Sequence, residues 1–210
     1  MALLTQTALL TQDQLKQVED AVAAVELRTD AELVTVLANR ASDYRYISTL
    51  WAALIALFVP GLLRLSPFWL DLVEVMIAQL VVFAAFALLL RQPALLSRVL
   101  PKSLKKHNAA SLAREQFLEH NLHHTRHETG VLIFVSELEH YVEIIVDRGI
   151  SDKIGNEQWQ QLIDDFVRQV QAGNSLQGFL NCINGCSELL ARHVPATNQK
   201  NELPNRLVLI

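Results

Sequence analysis

The chain has 210 residues, enough for one domain of ordinary size and some additional sequence. Hydrophobic residues make up 51 % of it and charged residues only 19 %, a balance that directs attention to membrane segments. The net charge is −4 and no large basic block is present, so we expect no nucleic-acid partner. The N-terminus lacks a basic region, a long apolar core and a cleavage site, so we expect no signal peptide.

The N-terminal segment predicts one helix followed by one strand. Residues 11–27 have apolar side chains at helical spacing, and Thr11 with Gln14 matches a capping box. Residues 31–38 (AELVTVLA) predict a short buried strand. One helix and one strand cannot bury enough surface to be stable alone. We therefore expect residues 1–45 to be the first part of a domain that is completed later in the chain.

Two apolar stretches, residues 46–63 and 72–90, predict a transmembrane helical hairpin over residues 46–91. Each stretch would form a helix about 27 Å long, close to the hydrocarbon thickness of a bilayer. Glu74 and Gln79 are candidates for polar contacts inside the membrane, although Glu74 is near enough to the end to reach the headgroups. The alternative is a buried hairpin of a soluble protein, which the absence of a polar stripe disfavours.

Basic residues are distributed unevenly around these stretches. Arg40 and Arg45 precede the first stretch, the connection contains only Arg64, and five basic residues follow the second: Arg91, Arg98, Lys102, Lys105 and Lys106. Because positively charged loops remain in the cytoplasm, we expect two spans with the N and C termini both cytoplasmic. Reduced thiols at Cys182 and Cys186 would suit that compartment.

The remaining sequence is expected to complete the domain over residues 92–197. It predicts a helix at 102–125, a hairpin of strands at 131–135 and 141–147, and helices at 156–171 and 175–192. This order predicts an α/β fold in which helices sandwich a small mixed sheet, with the transmembrane hairpin inserted after the first strand. Residues 198–210 are a C-terminal tail whose final LVLI is a candidate edge strand.

Several motifs in combination resemble the TPM domain: ELRTDAELVTVLA, TGVLIFVS, YVEIIVDRGI, and then an amphipathic helix with GNSLQGF. The chain is similar to the small bacterial branch of that family, in which a two-span hairpin follows the first strand and the chain ends in a segment like ELPNRLVLI. This resemblance implies a bacterial cytoplasmic (inner) membrane protein with a membrane-protein partner of the LemA type. The family label also contains the word phosphatase, which raises hydrolase activity as an alternative.

Four histidines recur at i, i+3, i+4 and i+7 (His120, His123, His124 and His127), so they would share one face of a helix. Strand polarity predicts that residues 28–30, 123–130 and 147–149 meet at the end of the sheet that is distal to the membrane. This placement gives a candidate polar cluster of His123, His124, Arg126, Asp147 and Arg148, with Arg28 and Thr29 nearby.

The favoured interpretation of this cluster is structural: His124 and Arg126 cap helix carbonyls and pair with Asp147. Zinc binding is disfavoured because neither an HExxH pattern nor a third ligand is evident, so we predict no metal and no cofactor. A divalent cation held by Asp147 and Asp152 is the alternative. We expect a non-catalytic interaction or assembly module anchored in the membrane. The alternative function is a membrane-anchored, phosphatase-like hydrolase that uses a divalent metal.

Overall fold

The computed structural model describes residues 9–25, 27–65, 67, 70–125, 127–197 and 207–210. The chain divides into two compact units, one of residues 1–41 with 106–210 and the other of residues 42–105. The first unit contains the β-sheet and the helices that cover it, and the second contains the two long apolar helices.

The secondary structure alternates helices and strands around these apolar helices. The helices are α1 (Gln12–Val25), α2 (Arg45–Arg64), α3 (Leu72–Leu89), α4 (Pro93–Val99), α5 (Lys102–Glu119), α6 (Arg148–Ser151), α7 (Asn156–Gln171) and α8 (Ser175–His193). The strands are β1 (Glu32–Ala38), β2 (Gly130–Ser136), β3 (Tyr141–Val146) and β4 (Leu207–Leu209). A 3-10 turn, Leu122–His124, lies between α5 and β2.

The sheet of the first unit is mixed, with the strand order β3-β2-β1-β4. β1 pairs in parallel with β2, and β4 pairs in parallel with the other side of β1. β2 and β3 form an antiparallel hairpin in which Val131 lies opposite Val146. The predicted α/β fold is therefore confirmed, including the parallel pairing of the first two strands and the terminal edge strand.

Helices cover both faces of this sheet. All residues of β1 and β2 are buried, which explains why their sequences are apolar without alternation. One face packs against α1, α7 and α8 through a core that includes Leu33, Ile133 and Phe179. The other face packs against α5, with Phe134 among Ala109, Ala113 and Phe117.

The structure differs from the sequence prediction in the length of α5 and in two short helices. α5 ends at Glu119 instead of reaching residue 125, because Asn121 takes a left-handed conformation with φ 56° that a continuing helix cannot accommodate. Residues 148–151 form the short helix α6 and residues 93–99 form α4, and neither helix was predicted from the sequence.

In the second unit, α2 and α3 pack against each other, and each is long and apolar enough to cross a membrane. Along α2, Ser48, Ala52 and Ala56 are buried at helical spacing. By contrast, no residue of α3 is buried. The apolar surface of α3 is therefore available to an apolar environment along the whole helix.

Candidate functional site

The candidate polar cluster lies at the amino end of the sheet, where β1 and β2 begin and β3 ends. The backbone N–H of Glu32 donates to the carbonyl of Thr129 at 3.2 Å, and that of Asp147 donates to the carbonyl of Gly130 at 2.9 Å. These two bonds join the turn before β2 to the beginning of β1 and to the end of β3. The structure thus brings together the three segments from which the cluster was assembled.

Two glycines allow these segments to approach closely. A Cβ atom on Gly130 would lie 2.1 Å from the carbonyl oxygen of Leu122, and one on Gly149 would lie 2.2 Å from that of His127. Both distances are far below van der Waals contact, so a side chain at either position would force the backbone apart. The glycines therefore allow the beginning of β2 to approach the 3-10 turn and allow α6 to approach residues 127 and 128.

The four histidines do not share a helix face, because α5 ends before the first of them. His123 and His124 belong to the 3-10 turn and are exposed, with ring centroids 4.1 Å apart. His127 is exposed in the following turn, whereas His120 is half-buried. Within the described ranges, no three His, Cys, Asp or Glu side chains are grouped so that they could hold a metal ion.

Asp147 forms the N-cap of α6. Its Oδ1 accepts a hydrogen bond from the backbone N–H of Arg148 at 2.8 Å, a stabilising contact for a helix N-terminus. The Arg148 side chain is exposed and lies 4.0 Å from Asp152. Arg126 lies outside the described residues, so its pairing with Asp147 stays a prediction.

Thr29 connects the C-terminal end of α8 to the amino end of the sheet through hydrogen bonds. Its buried hydroxyl donates to the carbonyl of Val194 and accepts from the backbone N–H of Ala31 at 3.1 Å. Next to it, the carboxylate of Asp30 accepts from the backbone N–H of Thr197 at 2.8 Å. Arg28 is exposed, and its carbonyl accepts from Ala196. The sequence alone gave no indication that residues 194–197 belong to this cluster.

A second polar network, at the opposite end of the sheet, was not predicted from the sequence. The buried carboxylate of Glu139 accepts from the backbone N–H of Ala41 at 3.0 Å and from the hydroxyl of Ser136. The backbone of the β2–β3 turn also bonds the carbonyls of Ala38 and Asn39. Because Ala41 lies three residues after the end of β1, this network holds the chain where it leaves the sheet. An acidic turn gives no sequence signal for such a buried contact.

A groove of about 300 Å³ runs between β3 and α7, lined mainly by Leu9, Val142, Phe166, Val167 and Val170. Tyr141 also borders the groove, but its side chain packs against the cluster on the α5 face of the sheet, and its hydroxyl donates to Glu143 at 2.9 Å. Burial raises the pKa of Tyr141 to about 12, and the hydrogen bond to Glu143 acts in the same direction. The phenol is therefore a neutral hydrogen-bond donor at physiological pH.

Glu74 and Gln79, the predicted intramembrane polar residues, are both on α3. Glu74 completes a capping box: its Oε2 accepts from the backbone N–H of Asp71 at 3.0 Å, and Asp71 is the N-cap of α3. Gln79, five residues after Glu74, is half-buried. The carboxylate of Glu74 is thus engaged at the helix terminus.

Cys182 and Cys186 lie one turn apart on α8, and both are buried free thiols of the core. A hydrogen bond with Cys182 raises the pKa of the Cys186 thiol well above its ordinary value, and burial adds to this effect. The Cys186 thiol therefore remains protonated and is not a reactive thiolate.

The fold and the cluster define a small α/β domain with an inserted helical hairpin, and the comparisons with known proteins agree with this description. Residues 98–189 match the model of the TPM domain, and this part of the chain is a TPM domain. The matched range contains β2, β3 and α5 to α7, whereas α1, β1 and β4 lie outside it.

Among solved structures, the chain is similar to the NMR structure of the BA42 protein from the psychrophilic bacterium Bizionia argentinensis. The TM-score is 0.59 at 18 % sequence identity, and the match covers 100 % of this chain and 99 % of that one. At this identity the likeness shows the fold alone. No curated protein is significantly similar to the chain.

Proposed function

We propose that this TPM-domain chain is a non-catalytic interaction or assembly module anchored in the bacterial cytoplasmic membrane by α2 and α3. The observation that carries the proposal is the exposure of α3, in which Leu72 is 76 % and Leu80 is 65 % exposed and no residue is buried. Apolar surface in water costs about 25 cal/mol per Å², so a continuous apolar helix of this kind is stable only in a lipid environment or against a partner.

The orientation in the proposal follows from charge. Arg64 is the last residue of α2 and Asp71 precedes α3, whereas Arg91 follows α3 and Arg98 lies in the next helix, α4. The positive-inside tendency supports two spans with both termini in the cytoplasm. A membrane-protein partner, for which a LemA-type protein is our candidate, would then meet the TPM domain on the cytoplasmic side.

The hydrogen bonds of the candidate polar cluster support a non-catalytic role. The hydroxyl of Thr29 and the carboxylate of Asp30 bond backbone groups at the end of α8 and just after it, and the carboxylate of Asp147 caps α6. Side chains engaged in this way stabilise the end of the sheet. A hydrolase would require such groups to face a substrate or a bound metal.

Membrane retention tests the anchor. The full chain should stay in bacterial membranes after a carbonate wash, and Leu80→Lys should weaken this retention, because a lysine at mid-helix opposes insertion by about 2.5 to 3.5 kcal/mol. The matched control is Leu118→Lys, on α5 of the other unit, where the leucine is 56 % exposed. Release of the wild-type chain by carbonate, or equal retention of both variants, would contradict the anchor.

Affinity purification from native membranes tests the module itself. We expect one membrane protein to copurify stoichiometrically with the wild-type chain after mild solubilisation. A phosphomonoester assay with magnesium, manganese or zinc should give no turnover above that of Asp147→Asn. Metal-dependent turnover that Asp147→Asn abolishes would contradict the non-catalytic proposal and would show that the chain is a hydrolase.

A further inference from the structure

A strongly basic segment follows α3. The chain contains no Asp or Glu between Glu74 and Glu115, and residues 91–106 contain five basic residues: Arg91, Arg98, Lys102, Lys105 and Lys106. Such a run has no acidic neighbours in sequence that would neutralise it. It begins two residues after the last residue of α3.

Four of these cations are exposed, and three of them belong to the second unit, whereas Lys106 belongs to the first. Arg91, Arg98 and Lys102 are exposed, and none of the ion pairs in the described part of the chain involves them. Lys105 is different, because its Nζ donates to the carbonyl of Ser97 in α4 at 2.7 Å.

The exposed cations are carried on an ordered segment. Leu96 in α4 and Leu100 directly after it are buried. The bond from Lys105 to Ser97 also ties the first turn of α5 back to α4. Arg91, Arg98 and Lys102 therefore lie on an ordered segment, which lowers the conformational entropy that the segment loses when it binds a ligand.

The two ends of the hairpin differ in charge. α2 and α3 pack against each other and are joined by a short connection, so the beginning of α2 and the end of α3 lie at the same end. At that end Arg45 is paired with Asp43 at 3.3 Å, which leaves Arg91 and the cations after it without a counter-charge in the described residues. The other end contains Asp71 and Glu74 beside Arg64.

We propose that Arg91, Arg98 and Lys102 bind the anionic headgroups of phospholipids in the membrane that α2 and α3 cross. The inference rests on the membrane anchor proposed above. Guanidinium groups bind phosphate oxygens through paired hydrogen bonds, and basic clusters beside a transmembrane helix attract anionic lipids. Arg91 lies two residues after the end of α3, a position at the depth of the headgroups if α3 spans the bilayer, and Arg98 and Lys102 lie on the segment that follows.

Lipid binding to the full chain in detergent, measured by native mass spectrometry, tests this site. Phosphatidylglycerol should bind at least about tenfold more tightly than phosphatidylcholine. Each cation near an anionic lipid surface strengthens binding by about fivefold, so replacing Arg91, Arg98 and Lys102 with Gln should weaken phosphatidylglycerol binding by roughly a hundredfold. The variant with Arg91→Lys and Arg98→Lys should keep the preference, because the charge is retained.

The matched control replaces three exposed cations of the other unit, Lys153, Arg168 and Arg192, with Gln, and it should bind phosphatidylglycerol like the wild type. Equal binding of the two lipids, or unchanged binding in the Arg91 triple variant, would overturn the headgroup site. Displacement of the lipid by an equal concentration of inorganic phosphate would instead indicate a soluble phosphate ligand and overturn it too. If the chain stays in the membrane after a carbonate wash but shows no preference for phosphatidylglycerol, only the headgroup site is contradicted. If carbonate releases the chain, the membrane anchor is contradicted.

Discussion

Individual polar side chains at the amino end of the sheet act on backbone groups. Thr29 bonds the carbonyl of Val194, and Asp147 caps α6. Gly130 allows the beginning of β2 to approach the 3-10 turn, and Gly149 allows α6 to approach residues 127 and 128. Substitutions here should therefore change the stability of the domain, and the following predictions concern that stability.

Gly149→Ala should lower the free energy of unfolding by about 1 to 3 kcal/mol, the usual cost of forcing extra atoms into a packed site. The new Cβ would lie 2.2 Å from the carbonyl oxygen of His127. Gly155→Ala is the matched control, because a Cβ there meets nothing within 4 Å. Chemical denaturation of both variants measures the difference, and equal stabilities would show that the close contact does not form.

Tyr141 should make stability depend on pH in the alkaline range. Its folded pKa of about 12 lies above the ordinary value of 10.0, so the folded state holds the phenolic proton more tightly than the unfolded state does. The resulting stabilisation is fully present below about pH 10 and is lost as the pH rises towards about 12. The difference in unfolding free energy between the wild type and Tyr141→Phe should therefore shrink over that range. A difference that is constant with pH would contradict this linkage.

His123 and His124 should not create a zinc site, since both are exposed and belong to a 3-10 turn instead of a helix face. Micromolar zinc is expected to leave the melting temperature of the wild type unchanged. A ligand that binds only the folded state raises that temperature. A clear rise that disappears in His123→Ala and His124→Ala would revive the metal site and reject the structural interpretation.

Whole elements were predictable where the sequence has a strong period. The spacing of Trp159 and Phe166 with their apolar neighbours predicts α7 over the range that the structure shows. The unbroken apolar run from Val131 predicts the central strand β2. Local conformations escaped prediction: the left-handed Asn121 ends α5 early, and α6 has only four residues, too few to show a period.

The candidate site was predictable only in part, because some of its contacts join residues that are far apart in sequence. Strand direction is enough to place residues 28–30 and 147–149 near one another. The contacts from Thr29 to Val194 and from Glu139 to Ala41 join residues far apart in sequence. The spacing of residues within one helix or strand does not predict such partners. They depend on how the ends of helices and turns pack in three dimensions.

The position of β1 makes the two parts of the α/β domain depend on each other. β1 lies between β2 and β4 in the sheet, and Leu33 and Leu37 are completely buried in its core. A fragment that begins at Lys102 lacks α1 and β1 and should not unfold cooperatively. Calorimetry of the fragment, with the full chain as reference, measures this, and a sharp transition in the fragment would show that the second part is a domain by itself.

At the scale of the whole molecule, the chain combines a TPM domain with a pair of helices long and apolar enough to cross a membrane. Our proposal assigns the helices to anchoring and to anionic lipid, and the domain to contact with a protein partner. Each assignment has its own test, so the lipid site can fail while the anchor stands. The proposed topology is the claim on which both assignments depend.

Cysteine accessibility in intact cells tests this topology most directly. In a chain with Cys182→Ala and Cys186→Ala, single cysteines are placed at Ser66 and at Asn198, both outside the described residues. With both termini cytoplasmic, the Ser66 position should react with a membrane-impermeant maleimide in intact cells, and the Asn198 position should react only after permeabilisation. The reverse pattern, or labelling of both positions in a soluble fraction, would contradict a membrane-anchored module with a cytoplasmic TPM domain.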